Sequence, residues 1–262
     1  MRIICLVKFV PKVDDFKYDE KRHVLIRNDV ALVINPDDAC ALEFALSMKD
    51  RHREATVEVV SMGPRPLQAK LEDLIRRGAD KATLISDKRY VGSDSYATAH
   101  ILSAYLKKQK YDLVLSGSQT LDGDTGHVGP QVAELLDLPQ CSNVIKVEDL
   151  SPVEAVIKVD NDDSVLTLSV SMPAVLSLSR ESNHKLRFAK LAHKDLDVSQ
   201  KFGVVSNQEL ALEESFIGLQ GSPTKVKSTY VVRREPGKAQ VVTCDEAGIE
   251  AVYDFLKSKG VI

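Results

Sequence analysis

Apolar runs and amphipathic segments alternate along the first part of the chain. Short runs rich in β-branched and other apolar residues predict strands at 3–7, 56–61, 82–86 and 113–116. After each run, apolar residues recur at helical spacing. Near-continuous apolar strands that alternate with helices are typical of a parallel sheet covered on both faces. We therefore predict an α/β fold with a doubly wound, mostly parallel sheet.

Cap and turn residues predict where the helices begin and end. Asn35 is expected to cap the first helix, with Pro36 in its first turn. Gly78 is expected to end the second helix, because glycine tolerates the left-handed conformation common after helices. Either Ser93 or Ser95 is expected to cap the third helix.

The pattern changes at about residue 143. Segments 144–147, 155–159 and 165–170 have the composition of strands, and 160–163 is a turn between the last two. They predict a small antiparallel extension of the sheet, followed by a final strand that begins at Pro173.

The last third of the chain is more polar. Residues 181–245 have weak periodicity, which favours an extended arm that a partner surface would order. The sequence Thr-Cys-Asp-Glu at 243–246 has a capping-box pattern, and the helix after it carries Ile249, Val252 and Leu256 on one face. We predict an α/β domain over 1–180 and a partner-binding arm with a terminal helix over 181–262.

Composition narrows the class of protein. A chain of 262 residues suffices for one large domain or a domain with an extension, and 44% hydrophobic with 28% charged residues is typical of globular proteins. No run approaches the roughly 18 apolar residues of a membrane helix. A net charge of −3 and 5% aromatic residues do not favour a nucleic-acid partner. The four scattered cysteines argue against a zinc or iron–sulfur site and fit a reducing, cytoplasmic location.

Residues 112–139 carry the clearest chemical signal. The apolar run 113–115 leads into a loop rich in Gly, Asp, Ser and Thr, and Gly129 and Pro130 open a helix. Unpaired N–H groups at a helix start attract anions, and glycines let a phosphate approach the backbone. The spacing matches neither common glycine-rich nucleotide motif, so it predicts a nucleotide site of another kind. The alternative is an ordinary strand-to-helix connection with a solvated loop.

Three further segments also follow predicted strands. Ligands of doubly wound sheets bind beyond the carboxyl ends of the strands. Segments 8–11, 61–64, 86–95 and 117–129 are therefore expected to meet at one edge of the sheet.

Within 117–129, the backbone N–H groups of 126–128 are expected to hold a diphosphate, with the Thr125 hydroxyl beside them. Asp122 and Asp124 repel phosphate, so we expect them to fix the loop or to accept a hydrogen bond from a ribose hydroxyl. His127 is interpreted as a loop residue. No base, nucleophile or metal-ligand set accompanies it, so we predict no catalytic residue and no metal.

The other loops allow two interpretations each. The Gly-Ser-Asp-Ser sequence at 92–95 is either a plain helix cap or a second contact for a cofactor larger than a mononucleotide. Tyr90 either packs in the core or covers an aromatic ring. Lys8 is either solvated or supplies positive charge to a cofactor.

Several segments resemble the beta subunit of electron-transferring flavoproteins. They are Val7-Lys8-x-Val10-Pro11, Asn35-Pro36-x-Asp38, Val-Ser-Met-Gly-Pro at 60–64, Gly-Ala-Asp at 78–80, and Gly-x-Gln-x-x-Asp-Gly-Asp-Thr-Gly-x-Val-Gly-Pro at 117–130. The match runs in order through residues 1–180. It implies a Rossmann-like sheet of the adenine nucleotide alpha hydrolase-like kind and a subunit of a flavin-dependent electron-transfer complex.

The resemblance also implies cofactors and a first partner. The family forms heterodimers with an alpha subunit that carries FAD, and its beta subunit holds either a structural AMP (respiratory type) or a second FAD that accepts hydride from NADH (electron-bifurcating type). Segment 86–98 resembles the bifurcating pattern, although it has Tyr90, Val91 and Ser95 where Phe, Ala and Thr are expected. We therefore favour FAD, with AMP as the alternative.

The residues expected to bind this cofactor lie in the four loops and at the start of the first helix. They are Lys8, Phe9, Val10, Asn35, Asp38, Ser61, Met62, Gly63, Tyr90, Gly92, Ser93, Asp94, Ser95, Thr98, Gly117, Gln119, Asp122, Asp124, Thr125, Gly126, His127, Val128 and Gly129.

Two departures from the family pattern concern partners. Lys12 stands where many relatives have Asp, and 182–201 lacks the usual basic run of the dehydrogenase-recognition loop. Leu191 is our assignment for the docking leucine of that loop. The differences imply a dedicated flavin-dependent dehydrogenase, of the acyl-CoA or lactate type, that is not a typical acyl-CoA dehydrogenase.

Three functions therefore remain open at this point. The first is a bifurcating subunit that divides electrons from NADH between ferredoxin and the dehydrogenase, the latter through the alpha subunit. The second is a respiratory-type subunit with AMP. The third is a non-redox adenine-nucleotide sensor on the same fold.

Overall fold

A computed structural model of the chain describes residues 1–12, 17–19, 24–26, 31–225 and 240–262. It contains two compact units, Met1–Lys225 and Val226–Ile262. Both are described separately.

The strands and helices are numbered in chain order. The strands are β1 (Arg2–Leu6), β2 (Phe9–Pro11), β3 (Lys17–Asp19), β4 (Val24–Ile26), β5 (Leu32–Ile34), β6 (Thr56–Met62), β7 (Lys81–Ile85), β8 (Leu113–Gly117), β9 (Gln140–Leu150), β10 (Glu154–Asn161), β11 (Ser164–Ser171), β12 (Ala174–Leu178) and β13 (Phe202–Val205). The helices are α1 (Pro36–Arg51), α2 (Gln68–Arg76), α3 (Ser95–Leu106), α4 (Val128–Leu135), α5 (Asn207–Leu210) and α6 (Glu246–Ser258).

The central sheet has nine strands in the order β11-β10-β9-β12-β8-β1-β6-β7-β13. Strand β1 pairs in parallel with β6 on one side and with β8 on the other. The chain builds outwards from β1 through β6 and β7, and then returns to place β8 on the opposite side. The reversal between β1 and β8 is the switch point at which doubly wound sheets bind ligands. The predicted doubly wound, mostly parallel sheet is confirmed.

Alternate residues of β1 enter two separate cores. Ile3 and Cys5 pack with α1 and α2, whereas Ile4 and Leu6 pack with α3 and α4. All four side chains are at most 5% exposed. Burial of an Ile or Leu side chain contributes about 1.5–3 kcal/mol. The strand that leads to the switch point is therefore held from both faces.

The predicted antiparallel extension is also confirmed. Strand β10 pairs antiparallel with both β9 and β11, and β9 joins the parallel part of the sheet through β12. The last predicted strand, β12, lies next to β8. It therefore ends at the same edge as the loop 117–129.

Residues beyond 180 continue the sheet. Strand β13 pairs in parallel with β7, with Phe202 opposite Ala82 and Val205 opposite Ile85. The first compact unit extends to Lys225, and the functional division at residue 180 expected from the sequence stays a prediction. The strand has four half-buried residues, and so short a run shows no clear period. That residues 181–262 bind a partner stays a prediction.

Helices α1 to α4 follow the predicted strands. Gly78 lies just after α2 with a φ of +131°, as expected for a glycine that ends a helix. Helix α4 begins at Val128, one residue before the predicted start. The longest described helix, α1, has 16 residues with charges at both ends, and none of the described helices has the length and apolar character for crossing a membrane.

At the starts of α3 and α6, an aspartate caps the helix in place of the predicted residue. Asp94, which lies between the two predicted serines, caps α3 by accepting a hydrogen bond from the Ala97 N–H at 3.0 Å. Asp245 caps α6 by accepting one from the Gly248 N–H at 2.8 Å, and the Thr243 hydroxyl donates to Asp245 at 2.6 Å. Asp, Asn, Ser and Thr all cap helices well. A cluster of these residues therefore predicts where a helix begins, but not which of them caps it.

The second unit contains α6. Its predicted apolar face is exposed, with Ile249 at 63% and Val252 at 46%, and Leu256 is half-buried. Helix α6 thus presents apolar side chains to its surroundings.

Candidate functional site

Four loops lie at the carboxyl edge of the sheet. Segments 8–11, 61–64, 86–95 and 117–129 follow β1, β6, β7 and β8, which all run in the same direction. Along the edge their order is 117–129, 8–11, 61–64 and 86–95. The topology brings these loops to one edge as predicted, with the switch point between the first two.

The carboxylate of Asp38, in the first turn of α1, joins both sides of the switch point. It accepts hydrogen bonds from the backbone N–H groups of Lys8 and Gly117, both at 2.8 Å. Burial raises the pKa of Asp38 from its ordinary value of 3.8 to about 7, although both hydrogen bonds act in the opposite direction. Asp38 is 5% exposed, and each of its carboxylate oxygens already accepts one of these two backbone N–H groups. Its predicted contact with a cofactor stays a prediction.

Asp37 and Asn35 fix the next part of the loop. The Asn35 side chain is fully buried and does not cap α1 as predicted; it donates to the Gln119 carbonyl at 2.7 Å and accepts from the Leu121 N–H at 3.2 Å. Asp37 accepts from the Gln119 N–H at 3.2 Å and pairs with the Arg180 guanidinium at 3.0 Å. Asp37 and Arg180 were not predicted as site residues, because Arg180 has no local signal and reaches Asp37 across 143 positions.

Lys8 and Asp122 form an ion pair across the switch point, with 2.7 Å between Nζ and the carboxylate oxygens. Burial opposes ionisation of Asp122, but the hydrogen bond and charge of Lys8 help to outweigh it, and the pKa of Asp122 is lowered. Both side chains are partly exposed, so the pair contributes at most about 1 kcal/mol. It links the loop 117–129 to the end of β1.

The start of α4 leaves several backbone donors free. Within the described part of the chain, no protein group accepts a hydrogen bond from the N–H groups of Gly126, His127, Val128 or Gly129. Gly126 has a left-handed φ of +62° and His127 a right-handed φ of −88°, a pair that directs successive N–H groups into one concavity. Asp124 and Thr125, just before it, are exposed. This geometry suits an anion such as a phosphate.

Two glycines of this loop are needed for packing. A Cβ on Gly117 would collide with the Asp38 carboxylate, and a Cβ on Gly129 would collide with the Ser177 hydroxyl. Both glycines therefore let the loop approach α1 and β12 closely. That they also give room to a phosphate stays a prediction.

Tyr90 packs in the core, which is one of the two alternatives considered for it. It is 5% exposed, and its hydroxyl donates to the Asn207 side-chain oxygen at 3.1 Å. Its ring is therefore not free to cover a ligand. Ser93, nearby, donates to the Tyr90 carbonyl at 2.8 Å.

The rest of the loop 86–95 leads into α3. Gly92 is exposed with a left-handed φ of +82°, and Asp94 is the cap described above. Ser95 and Thr98 lie in the first turns of α3 and are half-buried. Asp94 thus caps α3 within 92–95, and contact of this segment with a cofactor stays a prediction.

The ends of β1 and β6 supply the remaining predicted residues. Phe9 and Val10 belong to β2, which pairs with β5. Ser61 is 1% exposed, and its hydroxyl has no partner among the residues that the structure describes. A buried hydroxyl without a protein partner is normally satisfied by water or a ligand. Met62 and Gly63, beside it, are half-buried.

Fold and site together define a doubly wound α/β protein whose backbone donors at the switch point have no acceptor among the described residues. Residues 22–201 match the family model of the electron transfer flavoprotein domain. The chain belongs to the electron transfer flavoprotein family, among relatives of its beta subunits, as the resemblance indicated.

Three relatives illustrate this. The electron transfer flavoprotein subunit beta of Thermoanaerobacterium thermosaccharolyticum is 33% identical over the full length of both chains. The caffeyl-CoA reductase-Etf complex subunit CarD of Acetobacterium woodii is 36% identical over 88% of this chain and 87% of the relative. The acryloyl-CoA reductase electron transfer subunit gamma of Anaerotignum propionicum is 32% identical over the full length of both.

Proposed function

We propose that this chain is the beta subunit of an electron transfer flavoprotein and binds FAD at the switch-point edge. In this proposal electrons from NADH are divided between ferredoxin and a partner flavin dehydrogenase, and the latter share passes through the alpha subunit. The N–H groups over 126–129, which have no acceptor within the described part of the chain, carry the proposal because they suit a diphosphate. Bound FAD would supply the redox chemistry, and the protein binding and orientation.

The residues of the edge have distinct parts in this proposal. The N–H groups over 126–129 donate to the diphosphate, and the Lys8–Asp122 ion pair holds their loop to the end of β1. The unpartnered Ser61 hydroxyl offers a buried polar contact. Asp37 and Asp38 keep the loops at a fixed spacing and stay away from the phosphate, because their oxygens already accept backbone donors.

A structural AMP is the second candidate. Its support is Tyr90, whose buried ring is not available to stack on a flavin. AMP would use the same N–H groups with its single phosphate, and the chain would then be a scaffold for electron transfer without NADH chemistry.

Cofactor extraction separates the two candidates. The complex purified from its native source is expected to yield two FAD and no AMP per alpha–beta pair, counted by absorbance and chromatography of the released nucleotides. One FAD and one AMP per pair would refute FAD binding by this chain and support the scaffold.

We also propose that residues 184–196, the docking segment, receive the partner dehydrogenase. Leu191 and Phe188 on this segment are 88% and 86% exposed. The segment is nevertheless firmly attached to α1, because the Arg187 guanidinium binds Glu43 and Asp50, each at 2.7 Å. A preformed contact loses little conformational entropy on binding. The CoA-ester reductases named for two relatives favour an acyl-CoA type partner over a lactate type.

Glu43→Gln is expected to weaken docking about tenfold, because it breaks the buried half of the Arg187 ion pair. Asp50→Asn is the matched control: it touches the same guanidinium, but Asp50 is exposed, so an effect within about twofold is expected. The affinity of each variant for the purified dehydrogenase measures both effects. The nucleotide content of both variants should stay unchanged. Equal effects of the two substitutions would show that the buried Arg187–Glu43 contact matters no more for docking than the exposed Arg187–Asp50 contact.

A further inference from the structure

The loop 86–95 is attached to a late part of the chain. Residues 207–224, which we call the clasp, lie along it. Asn207 begins the clasp: its N–H donates to the Asp87 carboxylate at 3.0 Å, and its side-chain oxygen accepts from the Tyr90 hydroxyl at 3.1 Å. Leu210 and Ile217 of the clasp are buried in the core that contains α3. The clasp therefore has an apolar base as well as polar contacts.

The middle of the clasp follows the loop closely. The Leu219 N–H donates to the Val91 carbonyl and the Gly218 N–H to the Ser93 hydroxyl, both at 3.1 Å. Gly218 has a left-handed φ of +60°, and a Cβ there would collide with the Arg89 carbonyl. The two segments are thus in backbone contact.

Ser222 joins the clasp to Asp94, the residue that caps α3. It is 2% exposed, its hydroxyl donates to the Gly218 carbonyl at 2.7 Å, and it accepts from the Asp94 N–H at 2.9 Å. Gly92 offers a second acceptor at 3.1 Å. The other Asp94 carboxylate oxygen accepts from the Thr224 N–H at 2.9 Å. One buried hydroxyl therefore joins the clasp to the loop and to the cap of α3.

The loop 86–95 is distant from the free N–H groups of α4. It follows β7, which is three strand spacings of about 4.8 Å, or roughly 14 Å, from β8. A ligand whose diphosphate binds at 126–129 can contact the loop 86–95 only if another part of the ligand extends along the edge of the sheet. FAD has such a half, whereas AMP ends at its phosphate.

We propose that Ser222 is a positioning residue, which through the clasp holds the loop 86–95 in the conformation that meets the half of FAD beyond the diphosphate. This inference rests on the proposed function. Ser222 touches no cofactor in this proposal and acts through the backbone of 92–94.

Ser222→Ala tests the proposal in the full chain, with Ser215→Ala as the matched control. Ser215 lies in the clasp but is exposed, with one contact to Glu213 at 3.4 Å. Hydrogen exchange of peptides over 86–95 is measured first, without ligand. Loss of the buried acceptor is expected to speed exchange there about tenfold in Ser222→Ala and to leave Ser215→Ala unchanged.

Calorimetric titration with FAD, and separately with AMP, then tests the link to the site. Ser222→Ala is expected to weaken FAD about tenfold and to change AMP less than about twofold, and Ser222→Thr, which keeps the hydroxyl, to restore FAD affinity. A merely structural loss would weaken both ligands.

Each outcome decides one point. Unchanged exchange in Ser222→Ala overturns the clasp, whatever the chain binds. Faster exchange with unchanged FAD affinity, or equal losses for FAD and AMP, overturns the positioning role. A wild-type chain that binds AMP but no FAD refutes the proposed function and the positioning role together. If exchange is nevertheless faster in Ser222→Ala, the clasp is a structural contact alone.

Discussion

Gly117→Ala is expected to lower the free energy of unfolding by about 3 kcal/mol and to yield a purified chain without bound nucleotide. The added Cβ would collide with the Asp38 carboxylate and lie 2.7 Å from both the Asp37 Cβ and the Asp38 backbone nitrogen. The last two atoms belong to the first turn of α1 and cannot rotate away. Relief requires the loop 117–129 to move from α1, and this movement would open the switch point.

Gly203→Ala is the control for this substitution. Gly203 also lies in a strand of the sheet, but a Cβ there meets nothing within 4 Å. A change within about 0.5 kcal/mol is expected. Urea unfolding measures both variants, and extraction of nucleotide follows. If Gly117→Ala matches Gly203→Ala in stability and keeps its nucleotide, the close approach of loop and helix is not what holds the site.

Asp38→Asn is expected to cost about 2 kcal/mol of stability. Each carboxylate oxygen of Asp38 accepts one backbone N–H, from Lys8 or from Gly117. An amide has one oxygen, so its NH₂ group would face one of these donors and leave it unpaired. The protonated carboxyl group avoids this problem, because both of its oxygens can still accept.

The same substitution is expected to change how stability depends on pH. Since burial raises the pKa of Asp38 from 3.8 to about 7, the folded protein binds this proton more tightly than the unfolded chain. The contribution of Asp38 to stability is therefore complete below about pH 4 and is lost as the pH rises through about 7. The destabilisation caused by Asp38→Asn should thus be largest at about pH 4 and below, and smaller near about pH 8.

Urea unfolding of both proteins across this range measures the difference. Asp122→Asn provides a control of opposite sign, because the pKa of Asp122 is lowered and its small contribution is lost as the pH falls. Parallel stability curves for wild type and Asp38→Asn would mean that the Asp38 pKa is the same in the folded and unfolded chains.

The parts of the fold that the sequence predicted are those with strong local patterns. The strands around the switch point are almost continuously apolar, as in the 113–115 run of β8, and so their positions in the chain could be predicted. The four loops followed from these strands, because parallel strands end at one edge. Strand β13 was missed because four half-buried residues give no period.

The side-chain contacts that organise the site could not be predicted from the sequence. Asn35 has the chemistry of a cap, and only the folded chain shows that its amide reaches Gln119 and Leu121 instead. Tyr90 was open to two interpretations, because the choice depends on Asn207, which is 117 positions away. Ser222 gave no signal, since its environment is made by segments remote in sequence. Local patterns determine elements, whereas side-chain partners come from tertiary packing.

The clasp also orders the events of folding on the ribosome. The strands β1, β6, β7 and β8 are all synthesised before residue 118, and the loop 86–95 is complete in sequence by then. Its partner Ser222 is 128 positions beyond Asp94, and contacts of such separation form late and slowly. A nascent chain that ends before residue 222 has most of its sheet but an unfinished edge. Maturation of this edge is therefore a late step, which follows the synthesis of almost the whole compact unit.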